Sequence, residues 1–71
     1  MPEAHVMMEA AHALKRSKHP ALRHLQVEAS GTALIISGKV TSYYLKQLAQ
    51  EALMPVRGEL ELVNRVDVGG R

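Results

Sequence analysis

Thr41 to Val56 reads TSYYLKQLAQEALMPV, and this stretch decides how the rest of the 71-residue chain folds. Its apolar residues recur at spacings of three and four, which places them on one stripe of an α-helix. Either Thr41 or Ser42 can cap the first turn, and Pro55 followed by Gly58 ends the pattern. The sequence therefore predicts an amphipathic helix whose apolar side the other segments must cover. That side consists of Leu45, Leu48, Ala49, Ala52, Leu53 and Val56.

The chain is short enough to form one domain, residues 1–68, with a small margin of stability. A domain of this size buries only about 60% of the surface that its unfolded chain exposes. The sequence has no cysteine, so no disulfide strengthens the fold. Apolar packing must carry the stability. We therefore expect truncation of a central leucine such as Leu48 to remove about 2–5 kcal/mol from a total of about 5–15 kcal/mol.

Two segments precede the predicted sheet. Residues 3–17 predict a first helix, and residues 17–21 a linker, because the residue before Pro20 is driven out of the helical region of backbone space. The apolar side of this helix is mostly alanine and buries little area per residue. Its central stripe is Met7, Ala10, Ala11 and Leu14, with Val6 and Ala13 at the edges.

Three segments alternate as strands with one buried face do. Residues 25–29 form the first, and a turn at Ser30 and Gly31 leads to the second, which runs from residue 34 to Gly38. Residues 60–68 form the third, and residues 69–71 are expected to be a disordered tail. The residues assigned to the core side are Leu25, Val27, Ala29, Leu34, Ile36, Leu60, Leu62, Val66 and Val68.

The element order α-β-β-α-β predicts an α+β fold, a two-layer sandwich. The first two strands pair as an antiparallel hairpin, and the main helix crosses over to a third strand that lies parallel to the second. Both helices cover one face of this three-stranded mixed sheet, which leaves the other face open. Three consecutive apolar residues, Leu34, Ile35 and Ile36, fit either register of the second strand. Gly38 leaves room for a neighbouring backbone or helix to approach closely.

Several positions share the order of one known family: Val27, Gly31, the run LIISGKV with Gly38 and Val40, the helix YYLKQLAQEA, and the run GELELVNRVDV with Gly58, Leu62, Asn64, Val66 and Val68. Together they resemble the BON domain, named after bacterial osmotically induced and nodulation-associated proteins, and in particular its small stand-alone bacterial members. The resemblance covers about residues 22–68. The chain departs from the family at Glu59, where valine is usual, and in an interval from Gly31 to Gly38 that is one residue longer.

The resemblance implies a non-catalytic module that binds phospholipid surfaces or other proteins, often in the periplasm or envelope. The first residues, Met1 to Leu14, have neither the basic start of a signal peptide nor the apolar length of a membrane span. We therefore expect a cytoplasmic location if the chain is complete, and an envelope or periplasmic one if an export signal has been removed.

Basic residues without an intervening acid occupy the end of the first helix and the linker. They can bind phosphate or carboxylate groups such as lipid head groups, and each basic residue near an anionic membrane contributes about 1 kcal/mol. The alternative is a solvated set of cations that complements the negative end of the helix dipole. The set consists of Lys15, Arg16, Lys18 and Arg23, with His19 and His24.

The two tyrosines are adjacent at the start of the main helix. Tyr44 lies four residues before Leu48 and is expected to pack at the rim of the core. For Tyr43 the sequence allows two alternatives. The side chain is either packed or exposed, and an exposed ring can contact a membrane interface or a partner.

Apolar residues are also predicted on the open sheet face. Ile35 and Val63 fall there beside Glu61 and Arg65. Isolated surface aliphatics are ordinary, but two that meet across paired strands form a patch that a second chain can cover. The alternative function is therefore a structural or oligomerisation module whose partner face contains Ile35, Val63 and Arg65.

Other chemistries have little support in the sequence. His5, Glu9 and His12 are spaced so that they can point the same way from the first helix, but no fourth ligand can be placed, and we expect neither a metal nor another cofactor. No GxSxG or P-loop motif occurs, so we expect no enzymatic activity. Nucleic-acid binding is a third choice, because the net charge is only +2 and stacking aromatics and a GxxG loop are missing.

Overall fold

The computed structural model describes residues 2–69 and confirms the predicted α+β order. The sheet order is β1-β2-β3, with β1 antiparallel and β3 parallel to β2. Between α3 and β3 the chain makes a 3-10 turn at Met54–Val56. The elements are α1 (Pro2–Lys15), α2 (Pro20–Arg23), β1 (Gln26–Ser30), β2 (Ala33–Val40), α3 (Tyr43–Leu53) and β3 (Glu61–Val68).

The core lies between one face of the sheet and the helices. Leu34 and Ile36 are fully buried, whereas Ile35 is half-buried on the opposite face. The structure thus confirms the register in which Leu34 and Ile36 point inward. One apolar cluster joins this face to all three helices, and its buried members are Ala10, Leu14, Leu22, Leu25, Leu34, Ile36, Val40, Ala49, Leu53 and Val66.

The main helix begins where the sequence allowed two caps. The hydroxyl of Ser42 accepts a hydrogen bond from the amide of Leu45 at 3.2 Å, so Ser42 rather than Thr41 is the N-cap. Ala49 and Leu53 are fully buried, but Leu48 is only partly buried. Leu53 is therefore the central leucine of this helix, and the choice of Leu48 was wrong.

The N-terminal helix packs through most of the predicted stripe. Ala10 and Leu14 are buried, and Val6 and Ala13 pack against the core. Met7 is 39% exposed, so its assignment to the centre of the stripe was wrong. The helix ends at Lys15, two residues before the predicted end at Ser17.

The predicted linker contains a short helix, α2. Proline suits the first position of a helix, because its missing amide would have no partner there and its fixed φ angle is already helical. Pro20 occupies this position. Leu22 anchors α2 with 2% of its surface exposed. The residue before Pro20 leaves the helical region as predicted, since His19 is extended, but Pro20 itself starts a second helix within the predicted linker.

Gly31 in the hairpin turn and Gly38 in β2 both have positive φ angles, which favour glycine. Gly31, with φ 61°, turns the chain together with Thr32, one residue later than predicted. Gly38 has φ 134°, and a Cβ atom there would lie 2.6 Å from Cδ2 of Leu25. The close approach predicted at Gly38 is confirmed, and the neighbour is the residue that leads into β1.

Hydrogen bonds fix the C-terminal strand both on its core-facing side and at its end. The carboxamide of Asn64 donates to the carbonyl of Lys46 in α3 at 3.0 Å and accepts from the amide of Val66 at 3.1 Å. The amide of Gly69 donates to the carbonyl of Val40 at 2.9 Å, so the predicted disorder was wrong at Gly69. Gly70 and Arg71, the rest of the predicted tail, lie outside the described residues.

We predict that Leu53→Ala lowers the free energy of unfolding by about 3–5 kcal/mol, because a fully buried leucine leaves a cavity as well as losing its transfer free energy. Leu48→Ala, a matched control on the same helix, should cost about half as much or less. Urea denaturation of the two variants measures this difference. Equal losses would contradict the assignment of Leu53 as the central residue.

Candidate functional site

Ser17 organises the turn that carries the basic residues. Its hydroxyl accepts a hydrogen bond from the amide of His19, and its carbonyl accepts one from the guanidinium of Arg23, both at 3.1 Å. Its own amide donates to the carbonyl of Leu14 at 3.2 Å. A serine hydroxyl that bonds an amide two residues later fixes a turn. The path from α1 to α2 is therefore defined, with Lys18 exposed between them.

An aromatic contact joins this turn to the main helix. The rings of His19 and Tyr44 meet edge to face, with centroids 6.4 Å apart and planes at 85°. Such a geometry is favourable because the positive edge of one ring meets the negative face of the other. The contact places the start of α2 beside the start of α3, although 25 residues separate the two in sequence.

The two tyrosines both face outward. Tyr43 is 76% exposed, in agreement with the exposed alternative. Tyr44 is 65% exposed, so the prediction that it packs at the rim of the core was wrong. Leu45 and Leu48 pack against the core instead. Tyr44 is held by His19, a partner that the spacing within the helix could not reveal.

These contacts bring the turn after α1 and the start of α3 together at one end of the molecule, which we call the basic–aromatic end. Four of its members are cations that the sequence singled out, and all four are exposed. Arg23 uses one N–H group to bond Ser17, and a guanidinium has five, so it retains donors for a ligand. The surface consists of Lys15, Arg16, Lys18, His19, Arg23, Tyr43 and Tyr44.

Acidic residues gather at the opposite end of the molecule. The amide of Glu61 donates to the carbonyl of Thr32 at 2.8 Å, which places the start of β3 beside the hairpin turn. Glu59 lies just before it, and Glu51 lies near the far end of α3. Strands β2 and β3 have eight residues each, so the two ends are about 25 Å apart. The charges are therefore unevenly distributed along the strands, although Asp67, paired with Lys39, lies at the opposite end of β3 from Glu61.

The open sheet face brings together the residues predicted as a partner face. Ile35 and Val63 are direct neighbours across the parallel strands, and both are half-buried. Arg65 pairs with Ser37, and Glu61 with Ala33. All three predicted partner-face residues thus lie on this open face, with the apolar pair beside Arg65.

Two other groups of polar residues are less suited to binding a ligand. A shallow groove of about 550 Å³ at the acidic end is lined by Arg57, Glu59 and Glu61 among others, and the guanidinium of Arg57 is bonded to the carbonyl of Leu60 at 2.9 Å. His5 and Glu9 approach to 3.8 Å on the exposed side of α1. Among the side chains that the structure describes, no three histidine or acidic groups are placed to hold a metal ion.

Comparisons with known proteins do not assign a family. A scan against models of protein families finds no match, and a search of curated proteins finds no similar sequence. Among the helices that the structure describes, none has the length and apolar character needed to cross a bilayer.

We predict that His19 and Tyr44 are energetically coupled by about 0.5 kcal/mol, because an edge-to-face pair adds to the stability beyond its buried area. A double-mutant cycle with His19→Ala and Tyr44→Ala, measured by urea unfolding, gives the coupling energy. The cycle of His19→Ala with Tyr43→Ala is the control and should give a value near zero. The same coupling in both cycles would rule out a specific contact.

Proposed function

We propose that this protein is a small non-catalytic module, similar to a BON domain, that binds anionic phospholipid surfaces through its basic–aromatic end. The observation that carries the proposal is the contact between His19 and Tyr44. It brings the turn that follows α1, where the cations cluster in the sequence, beside the start of α3, which carries the two exposed rings. A set of cations that only complemented the dipole of α1 would need no tyrosines beside it.

The chemistry of this surface suits the interface of a membrane. Tyrosine is enriched at the level of the lipid head groups, because its ring is apolar and its hydroxyl can bond water or phosphate. Lysine and arginine attract the phosphates of anionic lipids. Tyr43 and Tyr44 provide the first property, and the four exposed cations provide the second.

The strength of binding follows from the number of charges. Four basic residues at about 1 kcal/mol each give roughly 4 kcal/mol, which corresponds to about a thousandfold preference for an anionic over a neutral surface. Salt screens these contacts within about 8–10 Å at physiological ionic strength. Binding should therefore be reversible and should weaken as salt is added.

The position of the acidic end favours one orientation on the membrane. Glu59 and Glu61 are repelled by anionic lipids, and they lie about 25 Å from the basic–aromatic end. The molecule therefore contacts the surface with its basic–aromatic end and directs its hairpin turn away from it. The open sheet face stands roughly perpendicular to the membrane and remains free.

Nucleic-acid binding is less well supported by the same surfaces. Modules that read single strands stack bases on aromatic side chains displayed on a sheet or groove. Both tyrosines of this chain belong to α3, and the open sheet face therefore offers no ring for stacking. A competition experiment separates the two ligands.

We predict that Lys18→Gln weakens binding to vesicles containing anionic phosphatidylserine about fivefold, the loss of one cation. The matched control is Arg57→Gln, which removes one positive charge at the opposite end and keeps a side-chain N–H donor near the carbonyl of Leu60. It should leave binding unchanged. Vesicle sedimentation measures both, with circular dichroism to verify that each variant is folded.

A further variant tests the aromatic contribution. Tyr43→Ser should weaken binding to the same vesicles while leaving the contact of His19 with Tyr44 in place. Equal binding to neutral phosphatidylcholine vesicles, or equal losses in Lys18→Gln and Arg57→Gln, would contradict the proposal. Displacement from vesicles by a single-stranded oligonucleotide at equal charge concentration would favour nucleic acid, and binding to an acidic protein but to no vesicle would favour a protein partner.

A further inference from the structure

We propose that the open sheet face binds a second copy of this chain, so that two molecules pair face to face with their strands antiparallel. The inference is independent of the lipid-binding proposal, because it concerns a different surface. It rests on the order of side chains along β3, on their neighbours in β2, and on the way the free edge of β3 is covered.

The centre of the open face is apolar. Ile35 of β2 and Val63 of β3 are paired residues and point to the same side of the sheet. Both are half-buried, and no helix within the described residues packs on this face. Two such patches remove apolar surface from water when they meet, which favours association.

The charges on β3 are complementary to those of an inverted copy. On the open face this strand presents Glu61, Val63, Arg65 and Asp67 in turn, and Glu61 and Arg65 are equally far from Val63. Consider a two-fold axis that lies in the plane between the two sheets, runs perpendicular to the strands and passes over Val63. Rotation about this axis reverses the order of the side chains in the second copy. Glu61 of each molecule then faces Arg65 of the other, and the two valines meet. Packed sheets cross at about 30°, which leaves residues near the axis close together.

Two acidic residues oppose this arrangement. Asp67 lies on the same face near the end of β3, and the axis brings it toward the acidic start of β3 in the second copy. Glu28 is paired with Ile35 in the sheet and is exposed on the same face. The same axis brings Glu28 of β1 near Glu28 of the second copy, and like charges opposite each other are unfavourable. With the axis along β2 instead, Glu28 would lie over Val63 of the second copy, equally far from its Glu61 and its Arg65, so the repulsion between the two Glu28 side chains belongs to the antiparallel arrangement alone.

Association through the free edge of β3 is hindered. The amides of Glu61 and Gly69 donate to the carbonyls of Thr32 and Val40, which lie on the β2 side of β3. The odd-numbered residues of β3 therefore bond toward β2, and the even-numbered residues direct their amides outward. The outward amide of Val66 is already bonded to the side chain of Asn64. An added strand would have to displace that carboxamide. Association through the sheet face is therefore less hindered than association through the edge of β3.

The size of the face limits the affinity. Eight residues along a strand and three strands across give a footprint of roughly 400 Å² per molecule. A total of about 800 Å² lies below the range of stable complexes. We therefore expect a weak dimer, with a dissociation constant between about 10 µM and 1 mM at low salt.

Exchanging the charges tests the pairing directly. Sedimentation equilibrium at about 20 mM salt, up to about 1 mM protein, should show the wild-type dimer. Glu61→Lys alone and Arg65→Glu alone should each weaken self-association at least about tenfold, because each opposes like charges. A mixture of the two variants should dimerise again, because the swapped charges then face their opposites. Glu28→Gln should tighten the wild-type dimer severalfold.

Several results would contradict the proposal or one of its parts. A wild-type monomer throughout this range, or an undiminished dimer in Arg65→Glu, would overturn the proposal. Failure of the mixed variants to associate, with both folded by circular dichroism, would overturn the pairing of Glu61 with Arg65. Association of Glu28→Gln that equals or falls below that of the wild type would overturn the antiparallel arrangement.

Discussion

The parallel pairing of β2 with β3 is the constraint on which the rest of the structure depends. A parallel pair needs a crossover between its strands, and α3 provides it. Since Leu34 and Ile36 point to the side of the sheet that α3 covers, α1 must pack on the same side to complete the core. The fold is therefore one-sided. Its stability comes from a single layer of aliphatic contacts, because no charged side chain is buried among the described residues.

Two surfaces follow from this one-sided arrangement. At one end, the chain passes from β2 into α3 through only Thr41 and Ser42, which brings Tyr43 and Tyr44 beside the turn between α1 and α2. On the outer side of the sheet, the same register leaves Ile35 and Val63 uncovered. The two surfaces do not overlap. A molecule bound to an anionic surface through its basic–aromatic end can therefore still present its sheet face to a second copy.

The sequence predicted most of the architecture, because apolar periodicity reports burial directly. The spacing in α3 and the alternation in β3 were sufficient to assign the mixed sheet. Contacts between distant segments were not predictable in this way. Pro20 was placed inside a linker of residues 17–21, and the short helix that it starts depends on Leu22 reaching the core. Tyr44 was assigned to the core rim from its step to Leu48, because nothing in the local pattern shows that His19 lies beside it. Asn64 matched a family position, but its bond to Lys46 required the packing of α3 on β3.

The register of β2 against β3 is the claim that both surfaces share, and methyl-to-methyl nuclear Overhauser effects in the isotope-labelled protein test it most directly. The structure predicts strong effects between Ile35 and Val63, and effects from Ile36 to the leucines of the buried core. It predicts none between Ile35 and Leu53. An Ile35 methyl group in contact with Leu53 or Leu14 would show that the strand is shifted by one residue, and it would contradict the one-sided core and the assignment of the open face together.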